Sequence, residues 1–517
     1  MKKNMSLRTR NHLPLTAAVA LAICINLSSA FAAESKVSPQ NYPPQNPARV
    51  DEIAAMLPEK PGTPAPRPSD RAAWAALSND PGAAKIVAEA ERLCGKPIPD
   101  LPDELYLEFL RNGNRSHYEA PFFRRLHALN ALMLAEALEW KGRFLPEVQR
   151  YLEAILAEKA WTLPAHDKQL DCFEGRKPLV KLFSSQRAWT VAYAIDWFGG
   201  VLPAELVARA KAECRRRILE PYLTACRDTT QVMPSGCNWF FGPANWTPVC
   251  HVGCVGLSLI ISEDRRERAE CIEAAERAMP FYLEGFSNDG YCSEGMAYWG
   301  YGFGHYVALV SIVEQATGGK VKLGADKPKT ARVAAYAVAF QLEQGLSPRF
   351  ADGGGNPEKA LLDMAHGFWP DAVPAAYAGC PPLSGTMSNY GERPPCCMVA
   401  MRAWRNAPVG GCRKSTRDPQ LSATTYQLPP LTEFTDAQVY ISRPGYGKDG
   451  ISLALKGGNN AEFHNHNDVG TYTVALDGEI LAGDVGGETY TARTFSARRY
   501  EGDVLNKIGR ASCRERV

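Results

Sequence analysis

Residues 463–470 read Phe-His-Asn-His-Asn-Asp-Val-Gly, and this stretch is the most informative part of the sequence about the fold. On a β-strand alternate residues share a face, so that His464 and His466 would point the same way with Asp468 behind them. Asp484 ends a later segment of strand character and adds a second carboxylate. Two imidazoles and a carboxylate suit Zn²⁺, which usually takes three or four protein ligands. The stretch therefore predicts a zinc site on a β-domain, and a pair of surface histidines is the alternative.

The residues around this stretch alternate as β-strands do. Strand character recurs, between glycines and aspartates, at residues 439–442, 450–456, 470–475 and 479–483. Asp477 and Gly478 stand between the last two segments, where they predict a hairpin turn. The pattern begins near residue 428 and leaves too few residues for a typical two-sheet sandwich. We therefore expect residues 428–507 to be the beginning of a β-sandwich.

Helical periodicity dominates residues 67–427. Apolar residues recur at three-residue steps within 122–140, and residues 204–223 and 265–286 show a similar amphipathic pattern. Short loops rich in Gly, Pro and Asp separate these segments, which predicts paired helices packed in an array or a closed ring. A proline-rich segment, residues 34–66, precedes the helices and is expected to be an extended lead-in.

The two ends of the chain differ from the rest. Four basic residues precede an apolar run, and Ala30-Phe31-Ala32 has the small-x-small form of a cleavage site. Because the run is shorter than the ~20 residues of a membrane span, residues 1–33 are predicted to be a signal peptide cleaved near Ala32. The mature protein is then periplasmic or secreted. Residues 508–517 resemble a translated sequencing adapter, and we expect the natural protein to continue differently there.

Composition excludes several classes of protein. Without residues 1–33 and 508–517 the chain has 51 Lys and Arg against 55 Asp and Glu, a net charge of −4 that disfavours nonspecific nucleic-acid binding. The sequence contains no Gly-x-Ser-x-Gly elbow and no Gly-x-x-x-x-Gly-Lys-Ser/Thr loop. Its 15 cysteines fit an oxidising compartment, but their spacing indicates no metal finger and no disulfide connectivity.

Two clusters in the helical region combine polar and aromatic side chains. The first is residues 245–251, Asn-Trp-Thr-Pro-Val-Cys-His, and the second is residues 289–302, which include Tyr298, Trp299 and Tyr301. Ring faces pack against the apolar faces of pyranoses, so the second cluster suits a sugar-binding wall. A loop beside a packed indole is the alternative for the first cluster, and an aromatic helix core is the alternative for the second.

Four motifs stand in a characteristic order: Asn-Trp-x-x-Val-Cys at 245–250, Asp-Gly-x-x-x-Glu-Gly-x-x-Tyr-Trp-x-Tyr-Gly at 289–302, His-x-His-x-Asp-x-Gly at 464–470 and Gly-Asp-x-Gly at 483–486. In these motifs the chain resembles the heparinase II/III-like polysaccharide lyases, which include alginate lyases. The resemblance covers roughly residues 100–507. It implies an incomplete (α/α) toroid followed by an antiparallel β-sandwich, the latter truncated here, with the substrate cleft between them. It also implies β-elimination at a uronic acid, which breaks the bond at C4.

The chemistry of β-elimination explains the residue types. The C5 proton becomes acidic when donors neutralise the neighbouring carboxylate, and a base and an acid must then move protons. By motif, the resemblance implies that Asn245 binds the carboxylate and that Tyr298 is the general acid and a candidate for the base. It implies that His464 is the base or the neutralising group on the sandwich side.

The resemblance further implies a metal site and contacts with the sugar. His466 and Asp484 would hold a structural Zn²⁺, whose next protein ligand is expected in the missing C-terminal part. The expected substrate-binding residues are Trp246, Glu294, Trp299 and Tyr301.

We therefore expect an exported lyase that acts on an acidic polysaccharide, with no nucleic-acid partner and no membrane span. An unsulphated uronate polymer such as alginate is preferred, because sulphated chains favour a strongly basic cleft. One alternative is a toroid glycoside hydrolase, for which Glu294 and Asp352 would be the two carboxylates. The other alternative is a non-catalytic glycan-binding protein. Only a lyase makes a conjugated double bond that absorbs in the ultraviolet.

Overall fold

A computed structural model describes most of the chain between residues 42 and 494. The described residues are 42–234, 236–343, 345–375, 377, 382–383, 397–400, 402, 428–444, 450–462, 464, 466, 468–484, 486–487, 490 and 494. The predicted signal peptide and the adapter-like tail lie outside them. Within these ranges, no helix has both the length and the apolarity that crossing a membrane requires.

The part of the chain before residue 428 is mainly helical. Its α-helices are α1 (Pro47–Met56), α2 (Arg71–Ser78), α3 (Ala83–Leu93), α4 (Asp103–Asn112), α5 (Ser116–Glu139), α6 (Leu145–Leu156), α7 (Leu182–Phe198), α8 (Ala204–Cys214), α9 (Glu220–Cys226), α10 (Trp246–Ile261), α11 (Arg265–Glu284), α12 (Met296–Ala316), α13 (Pro328–Ala339) and α14 (Lys359–Phe368). A 3₁₀ turn, Pro164–His166, precedes α7, and a π-helical turn, Arg215–Leu219, joins α8 to α9.

Helices α5, α7, α10 and α12 form an inner layer in which each packs against the next. Helices α7 and α10 are buried over nearly their whole length, as expected of helices that are apolar on all sides. Gly256 lets these two helices approach closely, since a Cβ atom there would lie 2.2 Å from the indole nitrogen of Trp189. The inner layer is therefore set by small residues as well as large apolar ones.

Each inner helix returns through an outer helix that packs on it: α6 on α5, α8 on α7, α11 on α10 and α13 on α12. Because every such pair reverses the chain direction, the inner helices run parallel and begin at the same end. This two-layered array of helical hairpins agrees with the paired helices that the sequence pattern predicts and with the incomplete (α/α) toroid that the resemblance implies.

The expectation of an extended lead-in over residues 34–66 is wrong for the ten residues of α1. The side chain of Asn46 accepts a hydrogen bond from the backbone N–H of Arg49 and caps this helix, and Pro47 occupies its first turn. Val50 and Ile53 are fully buried where α1 packs on α11. The helix is stabilised by this distant partner, which the proline-rich composition does not reveal.

A five-stranded antiparallel sheet follows the helices. Its strands, in spatial as in chain order, are β1 (Leu431–Phe434), β2 (Val439–Ser442), β3 (Ser452–Lys456), β4 (Tyr472–Leu476) and β5 (Glu479–Gly483). Asp477 and Gly478 have φ angles of 52° and 83°, which a type I′ turn between β4 and β5 requires. The predicted hairpin and the predicted order, helical toroid and then antiparallel sheet, are confirmed.

The sheet is anchored to the helical domain. Arg443 is buried and donates to the carbonyl oxygens of Ala339 and Gln341 at 2.6 and 2.7 Å. The ring of Phe434 lies 5.4 Å from that of Tyr291, measured between centroids. These contacts hold the loop after β3 opposite the beginning of the inner helices.

Candidate active site

The predicted catalytic residues meet where the inner helices begin. Asn245 directly precedes α10, and Tyr298 lies in the first turn of α12, two residues after Met296. The loop after β3 brings His464 to the same place, where its ring stacks on that of Tyr298 at a centroid distance of 4.1 Å. The Nε2 atom of His464 lies 3.2 Å from Glu294 Oε2. Residues from both domains thus form one cluster.

Asn245 and Glu294 form a buried hydrogen bond in this cluster. Asn245 Nδ2 donates to Glu294 Oε2 at 2.9 Å, and only 2% of Asn245 and 7% of Glu294 are exposed. The helices come this close because of Gly302, where a Cβ atom would lie 2.9 Å from that of Asn245. Burial raises the pKa of Glu294, against the opposing effects of His464 and Asn245. A raised pKa favours the protonated carboxyl, which can donate a hydrogen bond as well as accept one.

Asp352, named above only as a hydrolase candidate, connects the histidines. Its Oδ2 lies 2.9 Å from His464 Nδ1, and its Oδ1 lies 2.5 Å from His466 Nε2. The hydroxyl of Tyr490 also donates to Oδ2, at 2.5 Å. The Asp352 side chain is 4% exposed and packs against Gly487, where a Cβ atom would lie 3.0 Å from Oδ1. The acidic turn Asp-Gly-Gly-Gly at 352–355 is the sequence feature that could have indicated it.

Tyr490 also belongs to the site, although it is part of none of the four motifs. Its hydroxyl lies 2.6 Å from that of Tyr298 and 3.0 Å from His464 Nδ1. Burial raises the pKa of Tyr490, and the neighbouring Tyr298 and Asp352 raise it further. The hydroxyl therefore stays protonated and links Tyr298 to Asp352.

His464, His466 and Asp468 do not lie on a strand; they belong to the loop between β3 and β4. His464 has a φ of 54°, in the left-handed region, so the chain turns there and both imidazoles reach Asp352 from a loop. Asp468 pairs instead with Lys456, whose Nζ lies 2.8 Å from its Oδ1. Lys456 also pairs with Glu462 at 2.9 Å. These ion pairs stabilise the loop between β3 and β4.

The predicted zinc ligands His466 and Asp484 are both buried. Burial raises the pKa of Asp484, and the nearby His466 acts against this shift. Among the described residues, neither His466 Nδ1 nor Asp484 Oδ2 has a hydrogen-bond partner. Asp352 holds the other nitrogen of His466, as carboxylates do for metal-binding imidazoles. These two atoms fit a divalent metal, although the described part of the chain contains no cluster of three or more His, Cys, Asp or Glu side chains that could hold one.

The other predicted sugar contacts lie in different environments. Trp299 is fully buried and its indole N–H donates to a backbone carbonyl at 2.8 Å, so the expectation that it contacts substrate is wrong. Its ring fills the core behind Tyr298, because adjacent residues of a helix point in different directions. Trp246 is half-buried at the beginning of α10. Tyr301 is also half-buried and packs edge-on against His305 at 4.9 Å.

The chain is similar to several solved structures of polysaccharide lyases. A heparinase III is 13% identical, with a TM-score of 0.45 over 92% of this chain and 63% of that one. A mutant heparan sulfate lyase from Pedobacter heparinus is 12% identical, with a TM-score of 0.43 over 79% of this chain and 61% of that one. The chondroitin AC lyase of Streptomyces coelicolor A3, in complex with chondroitin sulphate, is 12% identical, with a TM-score of 0.42 over 83% of this chain and 58% of that one.

This chain spans about three fifths of the length of these structures. No protein-family model and no curated protein matches it.

Proposed function

We propose that the chain is a polysaccharide lyase that cleaves a uronic-acid-containing polysaccharide by β-elimination. The observation that carries this proposal is the cluster of Asn245, Glu294, His464 and Tyr298. It places hydrogen-bond donors for a carboxylate beside a hydroxyl that can exchange a proton. These are the two requirements of the reaction.

The donors neutralise the carboxylate of the sugar that is cleaved. Asn245 Nδ2 and a protonated Glu294 can each donate a hydrogen bond to it, and His464 Nε2 lies beside them. Binding of the carboxylate replaces the hydrogen bond between Asn245 and Glu294. The donors that the structure describes here are the amide of Asn245, the carboxyl of Glu294 and the imidazole of His464, which together suit a carboxylate. An unsulphated polymer such as alginate is therefore the proposed substrate.

Tyr298 is the proposed base and acid. Both ring nitrogens of His464 face carboxyl groups, so this imidazole is better placed to donate protons than to accept one. An imidazolium at His464 satisfies both carboxyl groups and, stacked on Tyr298, stabilises a phenolate there. The phenolate removes the C5 proton, and the electrons of the C–H bond form the double bond between C4 and C5. The bond between C4 and the glycosidic oxygen breaks, its electrons go to that oxygen, and Tyr298 gives the proton to it as it leaves.

Asp352 and Tyr490 act by positioning these groups. Asp352 fixes the orientation of the His464 ring through Nδ1. Tyr490 holds the Tyr298 hydroxyl at 2.6 Å and is itself fixed by Asp352. Asp352 thus positions both the proposed acid, Tyr298, and the neutralising group, His464.

We also propose a structural Zn²⁺ that His466 and Asp484 would help to hold, because both are buried and His466 Nδ1 and Asp484 Oδ2 have no hydrogen-bond partner among the described residues. When bound, it would supply positive charge and tie the histidine loop to the end of β5. No proton transfer is assigned to it.

The test is the product that the enzyme makes. Wild-type protein incubated with alginate or polyglucuronate should produce ultraviolet-absorbing unsaturated ends, and Tyr298→Phe should abolish them while oligosaccharide binding persists. Tyr472→Phe, which removes the hydroxyl of an exposed tyrosine on β4, is the matched control and should leave the rate unchanged. New reducing ends without absorbance would indicate a hydrolase, and binding without release of sugar a non-catalytic protein.

Export to the periplasm or the medium is proposed from residues 1–33 alone. Sequencing the amino terminus of the exported protein should find a mature chain that begins just after Ala32. An intact Met1 on the protein recovered outside the cytoplasm would contradict cleavage.

A further inference from the structure

Lys181 and Trp246 stand beside the candidate active site. Trp246 is an expected sugar contact, whereas Lys181 has no role in the proposed reaction. Lys181 caps the beginning of α7, where its backbone N–H donates to Ser184 Oγ at 2.8 Å. Trp246 is the first residue of α10 and directly follows Asn245. The Lys181 Nζ lies 5.9 Å from the centroid of the Trp246 ring. The two side chains therefore form one surface next to the carboxylate-binding amide.

The charge of Lys181 is not neutralised by a carboxylate anywhere in the described ranges. Its Nζ donates to Asn238 Oδ1 at 3.0 Å, and this amide is neutral. Most other basic side chains of the inner and outer helices form ion pairs, as Arg187 does with Glu158 at 2.8 Å. An ammonium with an amide beside it suits a carboxylate, which can accept hydrogen bonds from both.

The Trp246 ring is held in place by its neighbours. His166 packs against it at a centroid distance of 4.8 Å and an interplanar angle of 62°. Burial, with the charges of Arg115, Lys181 and Lys168, lowers the pKa of His166 to about 3. His166 is thus a neutral support for the indole, and Lys181 is the ammonium that lies over the Trp246 ring.

We propose that Lys181 and Trp246 form a second subsite that binds another uronate residue of the same polysaccharide chain. Trp246 stacks on the pyranose ring, and Lys181 and Asn238 bind its carboxylate. The inference rests on the proposed function and deepens it, since the enzyme then binds two carboxylate groups of the same polysaccharide chain. Helices α7 and α10 begin here, and their N-terminal ends add favourable potential for an anion.

The experiment measures binding rather than turnover. Calorimetric titrations use the Tyr298→Phe protein with alginate di-, tri- and tetrasaccharides, and with a carboxyl-reduced tetrasaccharide. Adding Lys181→Met should weaken binding of the charged tetrasaccharide about tenfold, the value of one charge-assisted hydrogen bond. It should leave the disaccharide and the reduced tetrasaccharide unchanged. Lys181→Arg, which keeps the charge, should lose much less affinity for the charged tetrasaccharide.

Lys322→Met is the matched control, because Lys322 lies beyond the opposite end of α12 and pairs with Glu314. It should bind all oligosaccharides as the parent does. Three results would overturn the subsite. The Lys181→Met and parent proteins could bind with equal affinity, the loss of affinity could be independent of the length and charge of the oligosaccharide, or no alginate oligosaccharide could bind at all. Failure of the lyase proposal is seen separately, as wild-type protein that binds with this pattern but forms no unsaturated product.

Discussion

Replacing Asp352 with asparagine tests whether one carboxylate organises the site. Asp352 accepts from Tyr490 and faces a nitrogen of both His464 and His466. Asparagine has a single acceptor oxygen, so at least one of these buried groups loses its partner. Leaving a buried donor unpaired costs about 1–3 kcal/mol of unfolding free energy. The altered proton position on His464 should lower kcat further, by about 10²–10⁴-fold, as in other sites where a carboxylate orients a histidine.

The assay compares kcat, KM and unfolding of the Asp352→Asn protein with those of wild type on one uronate polymer. KM should change little, since Asp352 does not touch substrate in the proposed reaction. Asp264→Ala removes the cap of α11, far from the site, and should cost about 1 kcal/mol of stability without affecting kcat. If Asp352→Asn lost no more activity than this control, Asp352 would have only a structural role. A rise in KM with unchanged kcat would equally refute positioning.

Three other predictions concern the charges around the site. Burial holds the pKa of Glu294 above its ordinary value of 4.5, so wild type should lose stability as pH rises above that value. Glu294→Gln should reduce this loss when melting temperatures are measured across pH. Equal changes of melting temperature with pH in the two proteins would contradict the shift. Lys456→Met leaves the buried Asp468 and the half-buried Glu462 without their partner and should cost about 3–5 kcal/mol of unfolding free energy, measured with denaturant. A cost below about 1 kcal/mol would mean that the ion pairs are dispensable. Zn²⁺ should raise the melting temperature of wild type but not of His466→Ala, and equal shifts in both would exclude this ligand.

The residues that sequence could identify are those held in short motifs. Asn245 and Tyr298 stand at the beginning of helices, where a few neighbouring residues fix both the end of the helix and the position of the side chain. His464 stands out because two histidines two residues apart are rare in this chain. The helix and strand patterns likewise depend on local periodicity, and they predicted the order of the two domains.

The residues that sequence missed are those whose role depends on distant contacts. Asp352 meets His464 across 112 residues of chain, and Tyr490 reaches Asp352 across 138. The acidic turn at 352–355 could mark Asp352 as a candidate, but no local pattern gives its partners, because their meeting depends on how the sheet is anchored to the helices. Trp299, by contrast, is predicted to contact substrate but is buried in the core. A motif containing Tyr-Trp-x-Tyr suggested a continuous aromatic wall, but successive helical residues point about 100° apart and Trp299 turns into the core.

A site for a polyanion that is itself lined by carboxyl groups raises an electrostatic question. Glu294, Asp352 and Asp484 would repel a uronate if all were charged and exposed. The burial of Glu294 raises its pKa, which favours the uncharged carboxyl and so weakens this repulsion. Asp352 is compensated by the two imidazoles and the tyrosine hydroxyl that it holds. In the proposed second subsite the charge of Lys181 lies outside this cluster. We therefore expect capture of the chain at Lys181 and proton transfer at Tyr298 to respond separately to salt.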